Sequence, residues 1–159
     1  MLRSLHIENY VLIDSLDISF PESLGIITGQ TGAGKSILMG ALSLLTGAKG
    51  DPSLISPGAA NCIVEAEFLA PAQLRSTLEE ADVEWDGGNL LIRRVLNSGG
   101  RSRSFINDSP VSVQLLQEIA SSLVDIHSQH QSLQLADKRF QMSLLDHYAG
   151  CAGDVEQCR

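Results

Sequence analysis

Leu24-Gly25-Ile26-Ile27-Thr28-Gly29-Gln30-Thr31-Gly32-Ala33-Gly34-Lys35-Ser36-Ile37 is the stretch whose reading decides the fold. Residues Gly29–Ser36 satisfy G-x-x-x-x-G-K-[ST], the Walker A or P-loop pattern, at every position. Gly29, Gly32 and Gly34 open backbone conformations closed to other residues, so successive N–H groups can converge on phosphate oxygens. Lys35 brings a point charge to the β- and γ-phosphates, and the Ser36 hydroxyl is a hard oxygen ligand for Mg²⁺. The helix that starts here adds the positive end of its dipole. The expected nucleotide contacts are therefore Gly29, Gln30, Thr31, Gly32, Ala33, Gly34, Lys35, Ser36 and Ile37.

Context supports the motif on both sides. Leu24–Thr28 is a short apolar run that suits a strand buried on both faces. Ser36–Thr46, with Ile37, Leu38, Ala41, Leu42, Leu44 and Leu45, fits a largely buried helix stopped by Gly47. Upstream, Leu5, Ile7, Leu16, Ile18 and Phe20 alternate with polar residues, which predicts two antiparallel strands within 2–20 with a turn at Asp14-Ser15. Downstream, residues 47–61 read as a mobile loop rich in glycine and proline. Val64, Ala66 and Phe68 predict a strand with one wet side, and Pro71 opens a helix to about Ala81. Leu90–Leu96 and Ser102–Asn107 flank Asn97-Ser98-Gly99-Gly100-Arg101 as a β-hairpin. Val111–Leu123 reads as a helix, Leu123–Ile126 as a short buried strand and Asp137–Ala149 as a further helix.

Composition narrows the function classes. The 159 residues include 11 Lys+Arg against 19 Asp+Glu, a net charge of −8, so strong DNA binding by this segment is not expected. No apolar run approaches the ~20 residues that cross a bilayer, and no signal-peptide pattern opens the chain. Cys62, Cys151 and Cys158 lack metal-ligand spacing and read as free thiols of a reducing, cytoplasmic compartment. His127 and His130 form an incomplete metal set and read as loop histidines. Arg101 and Arg103 are the nearest thing to a basic patch, and a solvated strand is the plainer reading of them. Trp85, beside a turn, is assigned to packing.

Two stretches imitate further parts of an ATPase. Ser98-Gly99-Gly100 resembles the core of the signature motif of ABC ATPases, but the residues after it alternate as a strand, whereas a signature serine must open a helix. Asp125 stands where a Walker B acid is tempting, yet only two apolar residues precede it.

Four separated blocks carry a family resemblance. Leu5-His6-Ile7-Glu8-Asn9-Tyr10-Val11-Leu12-Ile13-Asp14, Thr28–Ser36, Gly100-Arg101-Ser102-Arg103-Ser104-Phe105-Ile106-Asn107 and Val124-Asp125-Ile126-His127-Ser128-Gln129-His130-Gln131 resemble, in order, the start of the RecN family of bacterial DNA-repair ATPases, relatives of the SMC and ABC-type ATPases. Gln30 departs from the glutamate usual there, a change the backbone-made cradle should tolerate.

The resemblance implies an α/β P-loop half-head, a central sheet plus an antiparallel β-subdomain, over residues 1–150. Residues 151–159 would then be the first turns of a coiled coil. It assigns Gln129, with Gln131 as competitor, to a Q-loop that approaches Mg²⁺ and the attacking water. Residues near Ile13–Ser15 are its candidates for contacting adenine. It further implies ATP and Mg²⁺ as ligands, a C-terminal half-head of the same protein as partner, a homodimer of heads, and action on DNA through the whole assembly in double-strand-break repair and recombination at the nucleoid. Lys35 and Gln129 are the residues it gives a part in hydrolysis, and the segment alone is expected to turn over almost no ATP. The competing class is a self-sufficient small P-loop kinase or GTPase; a docking module that has lost nucleotide binding is disfavoured by the intact Lys35-Ser36 pair.

Overall fold

Alternating apolar residues in the first half of the chain become strands whose buried sides share one core. The computed structural model describes residues 1–28, 32–124 and 126, with Met142 and Tyr148 beyond them. The chain divides into two units, Met1–Asp125 and Ile126–Arg159. In the second, the described Met142 and Tyr148 are helical and exposed; the rest of the helix expected over Asp137–Ala149 lies outside the described residues.

The first unit is built on strands β1 (Leu2–Tyr10), β2 (Ile13–Ser19), β3 (Asn61–Leu69), β4 (Asn89–Asn97), β5 (Ser102–Ile106) and β6 (Ser109–Val111), with helices α1 (Gly32–Leu45), α2 (Arg75–Glu80) and α3 (Val113–Leu123). The six strands form one sheet in the order β2-β1-β3-β4-β5-β6, every pairing antiparallel. Leu5 and Ile7 of β1, Val64 and Ala66 of β3, Ile92 and Leu96 of β4 and Ile106 of β5 meet Ala41, Leu44 and Leu45 of α1 and Leu116 and Ile119 of α3 in a single apolar cluster.

The opposite face is polar, and the register lines up one row across it. Asp17, His6, Glu65, Arg93 and Phe105 are successive cross-strand neighbours. His6 Nδ1 lies 2.7 Å from Asp17 Oδ1, Arg93 Nε lies 3.2 Å from Glu65 Oε2, Arg93 also pairs with Asp108, and its guanidinium stands over the Phe105 ring. Opposite charges directly across a ladder favour this register over slipped ones.

Local stops shape the unit. Gly47, at φ +104°, ends α1: its N–H donates to Leu44 O and the Ala48 N–H to Ser43 O, the paired bonds of a Schellman stop. Ser98–Gly100 form the turn between β4 and β5, so Ser98 opens no helix. Asn107 and Asp108, at φ +46° and +63°, make the tight turn into β6, and Ser112 Oγ accepts from Leu115 N–H to cap α3.

Four expectations need correction. The β1–β2 turn falls at Val11-Leu12, and Asp14 and Ser15 lie within β2. The turn is placed there by long-range bonds: Val11 N–H donates to Leu54 O, Ser56 N–H to Asn9 O, and Ser56 Oγ to Val11 O. They hold Val11 at φ +54°, a left-handed conformation that strains a β-branched residue. By the same bonds, part of the loop at 47–61 is pinned rather than loose; Asp51 caps the 3₁₀ turn Pro52–Leu54 and Tyr10 bridges to Ile55. Leu24–Thr28 forms no strand: the segment is irregular and exposed, and among the described residues no strand lies beside it to take its backbone bonds. Leu123 ends α3, and Val124, although extended, joins no strand.

Among the described residues no helix is long and apolar enough to cross a membrane.

Candidate nucleotide-binding site

The site begins where α1 begins. The helix starts at Gly32, inside the glycine motif, so Gly32, Ala33, Gly34 and Lys35 carry the first four N–H groups, which no helical carbonyl can accept from. These amides and the positive end of the dipole make the first turn an anion-seeking surface. No acidic side chain in that turn opposes this. Gly29, Gln30 and Thr31 lie outside the described residues, as do the side chain of Ala33 and the whole of Gln129 and Gln131. The Q-loop assignment, His127, His130 and Asp125 are therefore expectations from sequence.

Gly34, Lys35 and Ser36 are exposed on the first turn. Among the described residues, a Cβ placed on Gly34 would meet nothing within 4 Å. Lys35 and Ser36 thus sit exposed on one helical turn, and an ammonium and a hydroxyl are the groups that suit a phosphate chain and a hard cation. Among the described residues no group of three His, Cys, Asp or Glu side chains is placed to hold a metal ion. Ile37 packs partly buried against the apolar cluster, which leaves its backbone as the part available to a ligand.

What holds α1 in place is as informative as its N-terminus. Gly40 passes so close to β1 that a Cβ there would stand 2.7 Å from Tyr10 Oη. Tyr10 is buried, and that burial, reinforced by Cys62, raises its phenol above the ordinary value. At the far end, Gln117 Nε2 of α3 donates to Gly47 O at 2.9 Å and Arg94 Nη2 of β4 donates to Ala48 O at 3.4 Å. Sequence reasoning passed over Arg94, although its phase in Leu90-Leu91-Ile92-Arg93-Arg94-Val95-Leu96 sets it on the core side with Leu90, Ile92 and Leu96.

Other candidates resolve plainly. Arg101 and Arg103 are exposed on the hairpin while Ser104 is buried on the other side, and Ser102 Oγ accepts from Arg94. Trp85 packs partly buried, donating to Gly88 O with Arg75 above its ring. Cys62 is a free thiol within the core. Ile13 is half-buried and Asp14 and Ser15 are exposed on β2.

Comparison with known proteins adds the family. The AAA domain model matches residues 4–147. The chain belongs to the AAA domain family. It is 37% identical over 160 residues to the DNA repair protein RecN of Vibrio cholerae, covering 100% of this chain and 29% of that protein. It is 39% identical over 158 residues to RecN of Haemophilus influenzae, covering 94% and 27%. The chain thus spans under a third of the length of the curated relatives it matches, and it is RecN-like along nearly all of its own. Among solved structures, a chain from work on ATP-driven dimerisation and DNA-stimulated activation of SMC ATPases superposes with TM-score 0.64 at 19% identity, covering 91% of this chain and 97% of that one. The recombination mediator protein RecF superposes with TM-score 0.59 at 16% identity, over 73% of this chain and 29% of that one. These likenesses make the fold that of a P-loop half-head of SMC/ABC type and the chain an N-terminal head segment of RecN-like kind. They do not favour the small self-sufficient kinase or GTPase.

Proposed function

We propose that this segment binds ATP with Mg²⁺ and supplies the N-terminal half of an ATPase head in a RecN-like protein of DNA double-strand-break repair and recombination. One observation carries the reading: α1 starts inside Gly29–Ser36 with Lys35 and Ser36 exposed on its first turn. In this reading the amides of Gly29–Ser36 and Ile37 cradle the phosphates, Lys35 neutralises the β/γ charge, and Ser36 ligates Mg²⁺. Gln129 is the proposed second contact to the ion and the positioner of water. Bound Mg²⁺ would neutralise the charge that develops on the transferred phosphoryl group.

The exposed apolar run Leu24, Ile26, Ile27 supports a further partner within the whole protein. Set just before the motif and lacking strand neighbours, it suits burial against a C-terminal half-head. Paired heads would then complete each other's sites, as the SMC relative's ATP-driven dimerisation suggests, and DNA would be engaged by the assembly at the nucleoid in the cytoplasm.

Titration of the chain with Mg²⁺-ATP by calorimetry tests the reading. Saturable binding that is lost in Lys35→Ala is expected; equal affinity in both proteins would refute the cradle. Robust multiple-turnover hydrolysis by the 159-residue chain would instead favour a self-sufficient P-loop enzyme.

A further inference from the structure

Among the described residues Arg94 is the only charged side chain buried in the core, 2% exposed. Its cross-strand neighbours are Val64 of β3 and Ser104 of β5, both buried. Among the described residues its hydrogen bonding passes through Nη2, which donates to Ala48 O at 3.4 Å and to Ser102 Oγ at 3.2 Å. Nε, Nη1 and the facing Ser104 Oγ are buried with no hydrogen-bond partner among the described residues. Burial alone pushes the guanidinium below its ordinary value.

For stability this is a poor arrangement. A buried cation without a carboxylate is strongly desolvated, and an apolar side chain of similar length is often neutral or better at such a site. Leu90, Ile92 and Leu96 show that the strand's own pattern would accommodate one. What Arg94 does provide is a link no aliphatic residue can make. Ala48 completes the stop of α1, where carbonyls point out of the helix and the dipole favours a cation. Ser102 opens β5, directly after the hairpin turn that ends at exposed Arg101. One nitrogen therefore joins the hairpin to the trailing end of the helix whose leading end carries Lys35 and Ser36. Gln117 holds the preceding carbonyl, Gly47 O, from α3.

We propose that Arg94 is a positioning residue for nucleotide binding, which sets the seat of α1 by tying Ala48 at its C-terminal end to Ser102 of the β4–β5 hairpin. The inference rests on the nucleotide reading of α1, and its test separates the two.

Arg94→Met, Ser102→Ala and Lys35→Ala are compared with the unmodified chain by Mg²⁺-ATP titration, thermal unfolding and amide exchange of α1. Arg94→Met is expected to unfold at the same or a higher temperature, yet to bind ATP more weakly by roughly 3- to 30-fold, the range typical of coupling through a positioning side chain. Ser102→Ala, at an exposed position that does not threaten folding, should weaken binding in the same direction by a smaller factor and speed exchange at Thr46, Gly47 and Ala48. Arg94→Lys should recover part of the affinity by reaching Ala48 O alone. Unchanged affinity and exchange in Ser102→Ala would overturn the proposal, as would Arg94→Met binding ATP like the unmodified chain. If that chain binds no ATP, the nucleotide reading fails, and exchange in Ser102→Ala still decides whether Arg94 links hairpin and helix.

Discussion

Replacing Gly40 by alanine asks how tightly the nucleotide helix is seated on the sheet. In a helix interior, alanine is better than glycine by about 1 kcal/mol, so propensity alone predicts a more stable protein. The structure reverses the sign. The new Cβ would lie 2.7 Å from Tyr10 Oη and 3.8 Å from Cζ, and Tyr10 is only 3% exposed, so its ring has little room to retreat. Overpacking of this kind costs roughly 1–3 kcal/mol, which leaves Gly40→Ala destabilised by roughly 0–2 kcal/mol. Tyr10→Phe removes the oxygen and leaves the nearest ring atom at an ordinary contact distance. In that background Gly40→Ala should stabilise by up to about 1 kcal/mol. Urea unfolding followed by far-ultraviolet circular dichroism on the four proteins closes a double-mutant cycle, with an expected coupling of roughly 1–3 kcal/mol. If Gly40→Ala stabilises the Tyr10 protein, or the two changes simply add, the close seating of α1 on β1 is wrong.

Other consequences follow from the same packing. Gly47→Ala should lose roughly 1–3 kcal/mol in urea unfolding, because φ is +104° and the added Cβ would stand 2.4 Å from Gln117 Cγ; adding Gln117→Ala should restore the steric part and not the conformational part. Burial pushes the Cys62 thiol up to about 11 from about 9. The unfolded chain therefore releases this proton first, and the stability present below pH 9 should fall by roughly 2–3 kcal/mol between pH 9 and 11. Cys62→Ala should lose that part of the pH dependence in unfolding measured across the window. Ser112→Ala should remove the α3 cap and about 1 kcal/mol, read by thermal unfolding.

The sequence made much of this legible because local chemistry and tertiary context agree there. Alternation placed β3, β4 and β5, Gly47 marked the end of α1, and Ser98-Gly99-Gly100 was separated from a true signature motif by the strand that follows it. Where partners are distant, local pattern misled. Asp14-Ser15 has turn composition, but the β1–β2 turn sits at Val11-Leu12 because Leu54 and Ser56, more than forty residues on, hold it there. Leu24–Thr28 has strand composition, yet a strand needs a neighbour, and the described residues offer it none. Arg94 was hidden differently: its charge argued for the surface while its phase with Ile92 and Leu96 placed it in the core. For the candidate site, the motif announced the start of α1 and the chemistry of Lys35 and Ser36; the seat of the helix on Tyr10, Gln117 and Arg94 is a property of the packed protein.

The most direct measurement is a crystal structure of the chain grown with Mg²⁺ and a non-hydrolysable ATP analogue. A triphosphate resting on the first turn of α1, with Lys35 Nζ between the β- and γ-phosphates and Ser36 Oγ on the ion, is the result predicted. Nucleotide bound elsewhere, or Lys35 turned into solvent away from a phosphate chain, would contradict the central claim.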